Sequence, residues 1–177
     1  MIVTRRALIA AGGGFAAACL TGRGAVAAPA PVDIVMHGND NGSHVWFDPI
    51  GVLVKPGTTI RWVNRDAGNA HTATAYHPDV MERPRRMPKA AKPWDSDYLL
   101  PEEAFSVALD VPGVYDFYCV PHEHAGMVGR IVVGEPGDGD WTGNGPGIGG
   151  ELPLPEVALA AFPSVEDIMR SKVIRRT

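Results

Sequence analysis

YCVPHEHAGMVG, residues 118–129, places a thiol, an imidazole and a thioether within nine residues of one another. The three side chains belong to Cys119, His122 and Met127, in the spacing Cys-x2-His-x4-Met. Each one alone is ordinary, since a single cysteine in an apolar strand usually acts as a small hydrophobic residue. Their joint spacing is not ordinary, because it brings three potential metal donors into one short loop.

A thiolate, an imidazole and a weak thioether are the donors of a mononuclear copper site that needs one more imidazole. His71, on a loop remote in sequence, is the expected source. Two imidazoles and a thiolate in a trigonal plane, with a distant thioether, suit both oxidation states of copper, so little has to move when one electron is exchanged. The sequence therefore predicts one type 1 copper ion held by His71, Cys119, His122 and Met127.

Short apolar strands separated by proline and glycine turns flank the motif on both sides. The pattern extends over residues 32–134, within a predicted domain of residues 28–134, and polar and apolar residues alternate in several segments. Many short strands of this kind without a convincing helix predict an all-β fold, an antiparallel β-sandwich. The predicted strands are Val32–Met36, Val52–Val54, Thr59–Val63, Phe105–Leu109, Val114–Tyr118 and Val128–Val133.

Residues 76–101 interrupt this pattern with a long, proline-containing insertion that shows no strand periodicity. A segment of this length without strands in a compact domain is usually functional or packed on the surface. Its centre, residues 83–92, carries five cations and no acid. Two interpretations of these cations stay open, a solvated loop or a docking patch for an acidic partner.

Beyond the sandwich, residues 135–150 are rich in glycine, proline and aspartate and predict a flexible linker. The C-terminal extension, residues 151–177, contains one predicted short helix at residues 164–172. Ser164 can cap this helix, with acids in the first turn and cations at the end, as the helix dipole prefers. Its apolar residues, Met169 among them, share one face, so we expect the helix to pack on the sandwich rather than on a partner.

Residues 1–27 predict a twin-arginine signal peptide. Arg5 and Arg6 precede a weakly apolar run of 14 residues, and a small-residue cleavage site ends at Ala27. The run is too short for a membrane span, which needs about 20 residues. Cys19 leaves one alternative open, a poor lipoprotein box. Export would place the mature protein in the periplasm or another extracytoplasmic compartment, where copper would also protect the unpaired Cys119 thiol.

The mature chain is acidic. Loss of Arg5, Arg6 and Arg23 with the leader leaves 13 basic and 20 acidic residues, a net charge of −7. This balance disfavours nucleic acid as a partner and suits a soluble protein that docks on complementary protein surfaces. About 150 mature residues suffice for one domain with an appendage. We expect a monomer with no membrane span in the mature chain.

These residues together resemble the cupredoxin family, and within it the plastocyanin, pseudoazurin and halocyanin type. The resemblance covers residues 32–134 and rests on CVPHEHAGMVG from Cys119 and on VKPGTTIRWVN at residues 54–64. It implies a Greek-key sandwich with copper buried at one end, and His122 as the ligand nearest solvent and the electron exit, within an apolar docking surface. Many relatives have asparagine after the first histidine, where Thr72 is expected to offer similar hydrogen bonds.

The resemblance also implies a function, a periplasmic one-electron carrier between larger redox proteins such as a c-type cytochrome and a copper or haem oxidoreductase. An enzyme is not expected, because copper enzymes of this class need further histidine clusters. A module for copper resistance or delivery remains the alternative, and it would use exposed histidines and methionines. The scattered candidates for such a second site are His37, His44, His77, His124, Met36, Met81 and Met87.

Overall fold

Two β-sheets pack against each other around an apolar core. The computed structural model describes residues 30–39, 43–137 and 141–176, and the predicted leader, residues 1–27, lies outside the described residues. The strands are β1 Val32–Gly38, β2 Val45–Asp48, β3 Gly51–Val54, β4 Thr58–Asn64, β5 Thr74–Ala75, β6 Ala104–Leu109, β7 Gly113–Tyr118, β8 Val128–Val133 and β9 Val173–Ile174. One sheet has the order β2–β1–β4–β6 and the other β5–β7–β8–β3–β9.

All six predicted strands are present, and the predicted all-β sandwich is confirmed. The chain changes sheet between β2 and β3 and again at each step as far as β7. Most neighbouring strands run antiparallel, but β1 pairs with β4 and β3 pairs with β8 in parallel. The short strands β2, β5 and β9 are additions that the sequence pattern does not predict, because two to four residues carry too little periodicity.

Aromatic rings from both sheets fill the space between them. Trp62 of β4 meets Phe117 of β7 edge-on, with ring centroids 5.3 Å apart, and Phe47 of β2 meets the same ring at 4.8 Å. The Phe117 ring lies so close to Gly129 that a Cβ atom there would collide with it. The glycine after the metal-binding motif is therefore required by packing against this ring.

The insertion at residues 76–101 runs beside the edge of β7. Arg86 accepts a backbone hydrogen bond from Asp116 at 2.9 Å and donates one to the carbonyl of Tyr76 at 3.0 Å. Arg86 is 1% exposed, and its guanidinium shares the buried Asp116 carboxylate with Arg130. Both interpretations of the five cations, a solvated loop or a docking patch, are therefore wrong for Arg86. This arginine is part of the interior.

The C-terminal extension packs on the sandwich. The predicted helix is confirmed as α2, Val165–Ser171, and the Ser164 hydroxyl accepts the Asp167 N–H at 3.0 Å. Ile168 of this helix is fully buried and approaches Gly51 of β3. A second helix, α1 at Glu156–Ala161, is an addition that the sequence analysis does not predict.

Residues 141–150 of the predicted linker also contact the sandwich. Trp141 is 5% exposed, and the centroid of its ring lies 4.4 Å from the guanidinium carbon of Arg86. The carbonyl of Gly145 accepts a hydrogen bond from the same guanidinium. Within the described ranges, none of the helices combines the length and apolar composition that a bilayer crossing requires.

Candidate metal centre

Three of the four predicted ligands converge at one end of the sandwich. The Nδ1 atoms of His71 and His122 are 3.1 Å apart, and the Sγ atom of Cys119 lies 3.5 Å and 3.4 Å from them. The centre of this nearly equilateral triangle is about 2 Å from each atom, which is the range of metal–imidazole bonds. Among the described residues, no other group of three or more histidine, cysteine or carboxylate side chains converges in this way. The donor set suits copper.

The motif loop closes on itself through its backbone. Cys119 directly follows β7, and His122 lies in a 3-10 turn, Val120–Ala125. The His122 N–H donates to the carbonyl of Cys119 at 3.1 Å, the Met127 N–H donates to that of His122 at 3.1 Å, and the Cys119 N–H donates to that of Met127 at 3.0 Å. Gly126 provides the left-handed turn, with φ at +74°. Met127 is fully buried, and its assignment as the fourth, axial ligand stays a prediction.

Burial sets the protonation of the three converging donors. It raises the pKa of the Cys119 thiol to about 11, although the N–H of Thr72 partly opposes the shift. It lowers the pKa of His71, with Asp66 opposing, and also that of His122, where the nearby His71 adds to the effect. At neutral pH the metal-free centre therefore holds two neutral imidazoles and a protonated thiol, and a metal ion has to displace the thiol proton.

Asp66 holds the far side of the His71 ring. Its Oδ2 atom lies 2.9 Å from Nε2 of His71, and the carboxylate also accepts the N–H of Gly68 at 2.9 Å and the amide of Asn69 at 2.8 Å. Asp66 is 4% exposed. This residue is not among those predicted from the sequence, although an acid five positions before a predicted ligand histidine is a usable signal.

Thr72 braces the thiol side of the centre, as expected of a residue that replaces asparagine. Its backbone N–H donates to Sγ of Cys119 at 3.3 Å, and its hydroxyl accepts the N–H of Val120 at 2.9 Å. The Thr72 hydroxyl is also hydrogen-bonded to the Thr74 hydroxyl at 2.8 Å. The Thr74 hydroxyl donates to the carboxylate of Asp95 at 2.7 Å. A chain of hydrogen bonds thus joins the motif loop to the insertion.

Glu123 anchors the His122 side of the centre. This carboxylate is 1% exposed, accepts the phenol of Tyr76 at 2.9 Å and pairs with Arg83. Arg83 also donates to the carbonyl of Pro153 in the C-terminal extension at 2.8 Å. Glu123 is not among the residues predicted from the sequence, because an acid between two histidines in a polar loop gives no indication of burial.

The C-terminal extension reaches the motif loop directly. Helix α1 packs against the 3-10 turn, and a Cβ atom at Gly126 would lie 3.4 Å from Cγ2 of Val157 and 3.6 Å from Cβ of Ala161. From the end of the chain, Arg176 donates to the carbonyl of Gly126 at 3.2 Å. Two segments outside the predicted copper domain therefore support the loop that carries His122.

Within the described ranges, no three histidine, cysteine or carboxylate side chains converge outside the metal centre. His124 is exposed, as expected. His37 and His44 both stack on Trp46, with ring centroids 5.2 Å and 4.8 Å from it. Met36 and Met87, two of the methionine candidates, are buried in the core.

Comparison with known proteins agrees with this geometry. The family of copper binding proteins described as plastocyanin/azurin matches residues 33–134. A chloroplastic plastocyanin of Oryza sativa subsp. indica is 36% identical over 129 residues, which cover 72% of this chain and 80% of the relative. The plastocyanin of Scenedesmus fuscus is 39% identical over 97 residues, which cover 54% of this chain and 93% of the relative. A solved pseudoazurin of Sinorhizobium meliloti matches with a TM-score of 0.54 and 26% identity, covering 75% of this chain and 91% of that one.

Proposed function

This chain belongs to the plastocyanin/azurin family of copper-binding proteins, and we propose that it is a periplasmic one-electron carrier with one type 1 copper ion. His71, Cys119, His122 and Met127 are the proposed ligands. The observation that carries the proposal is the triangle formed by two imidazole nitrogens and one thiol sulfur, with no side longer than 3.5 Å.

Bound copper supplies the one-electron chemistry by alternating between Cu(II) and Cu(I). The protein holds the donor plane in place, because His71 and Cys119 are fully buried and hydrogen-bonded to Asp66 and Thr72 respectively. His122 is only half-buried, which supports its role as the route by which electrons enter and leave. A rigid, dry site with one ligand near the surface suits a carrier that has no substrate chemistry of its own.

Copper delivery is the competing function, and it requires copper that leaves the protein readily. The buried thiol and the closed motif loop favour retention. Challenge of the copper-loaded protein with a copper(I) chelator separates the two functions. A carrier keeps its copper through repeated reduction and reoxidation, whereas a delivery module loses it to the chelator during the reduced phase.

Visible absorption and EPR spectra of residues 28–177 with one equivalent of copper(II) test the proposed centre. We expect an intense thiolate-to-copper charge-transfer band and narrow copper hyperfine splitting. Copper bound without that band would show that Cys119 is not a ligand, and copper capture through surface side chains would become the better account.

The proposed location and partners rest on sequence and on family membership. A fusion of residues 1–27 to a reporter that is active only after folded export tests the twin-arginine route, with Arg5→Lys and Arg6→Lys combined as the control that should block it.

Electron transfer to purified c-type cytochromes, followed by stopped-flow absorbance, tests the partner class. Failure with every c-type cytochrome and with copper or haem oxidoreductases would contradict the carrier proposal.

A further inference from the structure

The two ring nitrogens of His71 face different chemical groups. Nδ1 faces Sγ of Cys119 and Nδ1 of His122, whereas Nε2 lies 2.9 Å from the carboxylate of Asp66. A neutral imidazole carries one N–H, and an ionised carboxylate can only accept. The proton therefore sits on Nε2, and the lone pair of Nδ1 is directed toward the other two donors.

Three groups surround the buried Asp66 carboxylate. It accepts hydrogen bonds from the Gly68 N–H at 2.9 Å and the Asn69 amide at 2.8 Å, and its Oδ2 atom faces Nε2 of His71 at 2.9 Å. The loop is held as well, because the N–H of Asp66 donates to Asn64 at 2.9 Å. Gly38 at the end of β1 leaves the necessary space, since a Cβ atom there would collide with the carboxylate.

We propose that Asp66 is a positioning residue that acts through His71 to favour copper(II) over copper(I) and so lowers the reduction potential of the centre. A carboxylate on the distal nitrogen fixes the tautomer of a ligand histidine and raises its basicity. A nearby buried negative charge also stabilises a dication more than a monocation. The inference rests on the proposed role of His71 as a ligand.

Asp66→Asn is the informative change, because asparagine keeps the shape and one acceptor oxygen but removes the charge. We expect copper(II) to bind roughly 10- to 100-fold more weakly, with a smaller loss for copper(I). If the affinity for copper(II) falls ten times more than the affinity for copper(I), the reduction potential rises by about 59 mV, the value for a one-electron couple. Asp33→Asn is the matched control, since it removes one charge from an exposed ion pair with Arg61 and should leave the potential unchanged.

A second variant separates electronic control from simple loosening of the loop. Oδ2 of Asp66 accepts hydrogen bonds from both His71 and Asn69. Asn69→Ala removes one of them, which leaves the oxygen a stronger acceptor for His71 and should lower the potential slightly. A purely structural role would move the potential in the same direction in both variants, and Asn69→Ala remains available if Asp66→Asn does not fold.

Equal potentials in the wild type and Asp66→Asn, or shifts of the same sign in Asp66→Asn and Asn69→Ala, overturn the inference. Opposite shifts, together with an unchanged Asp33→Asn, support it. Absence of the thiolate band in the wild type would count against the proposed function alone. The copper(II) affinities of wild type and Asp66→Asn test the role of Asp66 whether or not Cys119 is a ligand.

Discussion

The two histidines of the centre are held by different parts of the molecule. His71 is fully buried, and Asp66 and Asn64 at the end of β4 fix its loop from within the sandwich. His122 is half-buried, and its neighbour Glu123 is held by Tyr76 and Arg83 of the insertion. Arg83 in turn bonds to the carbonyl of Pro153 in the C-terminal extension. One proposed ligand, His71, thus depends on the sandwich. The other, His122, depends on the insertion at residues 76–101 and on the extension beyond the matched residues 33–134.

This difference suggests a division of labour. The sandwich side sets the electronic properties of the centre, because a charged group lies directly on a ligand ring. The added segments set the mechanical stability of the motif loop, because they contact it through a buried ion pair, a helix and a terminal arginine. Changes on the two sides should therefore alter different measured quantities.

Cys119 belongs to neither side, and its replacement should have the largest effect. Cys119→Ser should abolish the intense visible band, because a hydroxyl does not replace the thiolate as a copper ligand at neutral pH. His124→Ala is the control, since this exposed histidine lies two residues beyond His122 and should leave the band intact. A blue Cys119→Ser protein would contradict the ligand assignment.

Glu123→Ala should break the outer support. Removing one partner of a buried ion pair costs about 3 kcal/mol of unfolding free energy, since the other charge is left without compensation. We expect that loss in denaturant titration of the metal-free protein, together with faster copper release. Glu166→Ala, in an exposed pair with Arg170 on α2, should change stability by less than about 0.5 kcal/mol. Similar losses in the two variants would show that Glu123 does not anchor the loop.

Met127→Leu should keep copper but raise the reduction potential, because the weak axial thioether tunes the potential of such sites. Protein-film voltammetry provides the measurement. Met169→Leu on α2 makes the same chemical change away from the centre and should leave the potential unchanged. If Met127→Leu also leaves it unchanged, Met127 is not the axial ligand.

The smallest expected effect is the pH dependence of the unfolding free energy of the metal-free protein. Burial raises the pKa of Cys119 from 9.0 to about 11, so the folded state disfavours the thiolate more than the unfolded chain does. The resulting stability is complete below pH 9 and is lost as the pH rises toward 11. Between pH 8 and 10 the loss should be about 1 kcal/mol, and Cys119→Ser should lack it. A pH dependence unchanged by Cys119→Ser would assign the effect to other groups.

Sequence alone predicts the strands of the sandwich, because they alternate polar and apolar residues. The motif spacing also predicts that Cys119 and His122 lie close together, as they do. The outer side is harder to predict. Arg83 and Glu123 lie 40 residues apart, so only the folded chain brings them together. The insertion and the C-terminal segments show little periodicity and are rich in proline or glycine. Their packing depends on contacts with the surface of the sandwich. Arg86, a cation in an apparently solvated run, is buried for the same reason.

The pairing of β9 with β3 has a consequence for self-association. Strand β3 would otherwise lie at the open margin of its sheet, where free N–H and C=O groups can template pairing with another chain. Val173 pairs with Val52 and Ile174 with Gly51, and the carbonyl of Lys172 accepts the Leu53 N–H at 2.8 Å. Strand β9 thus covers this margin and leaves a strand of only two residues at the edge, a length that disfavours pairing with another copy of the protein.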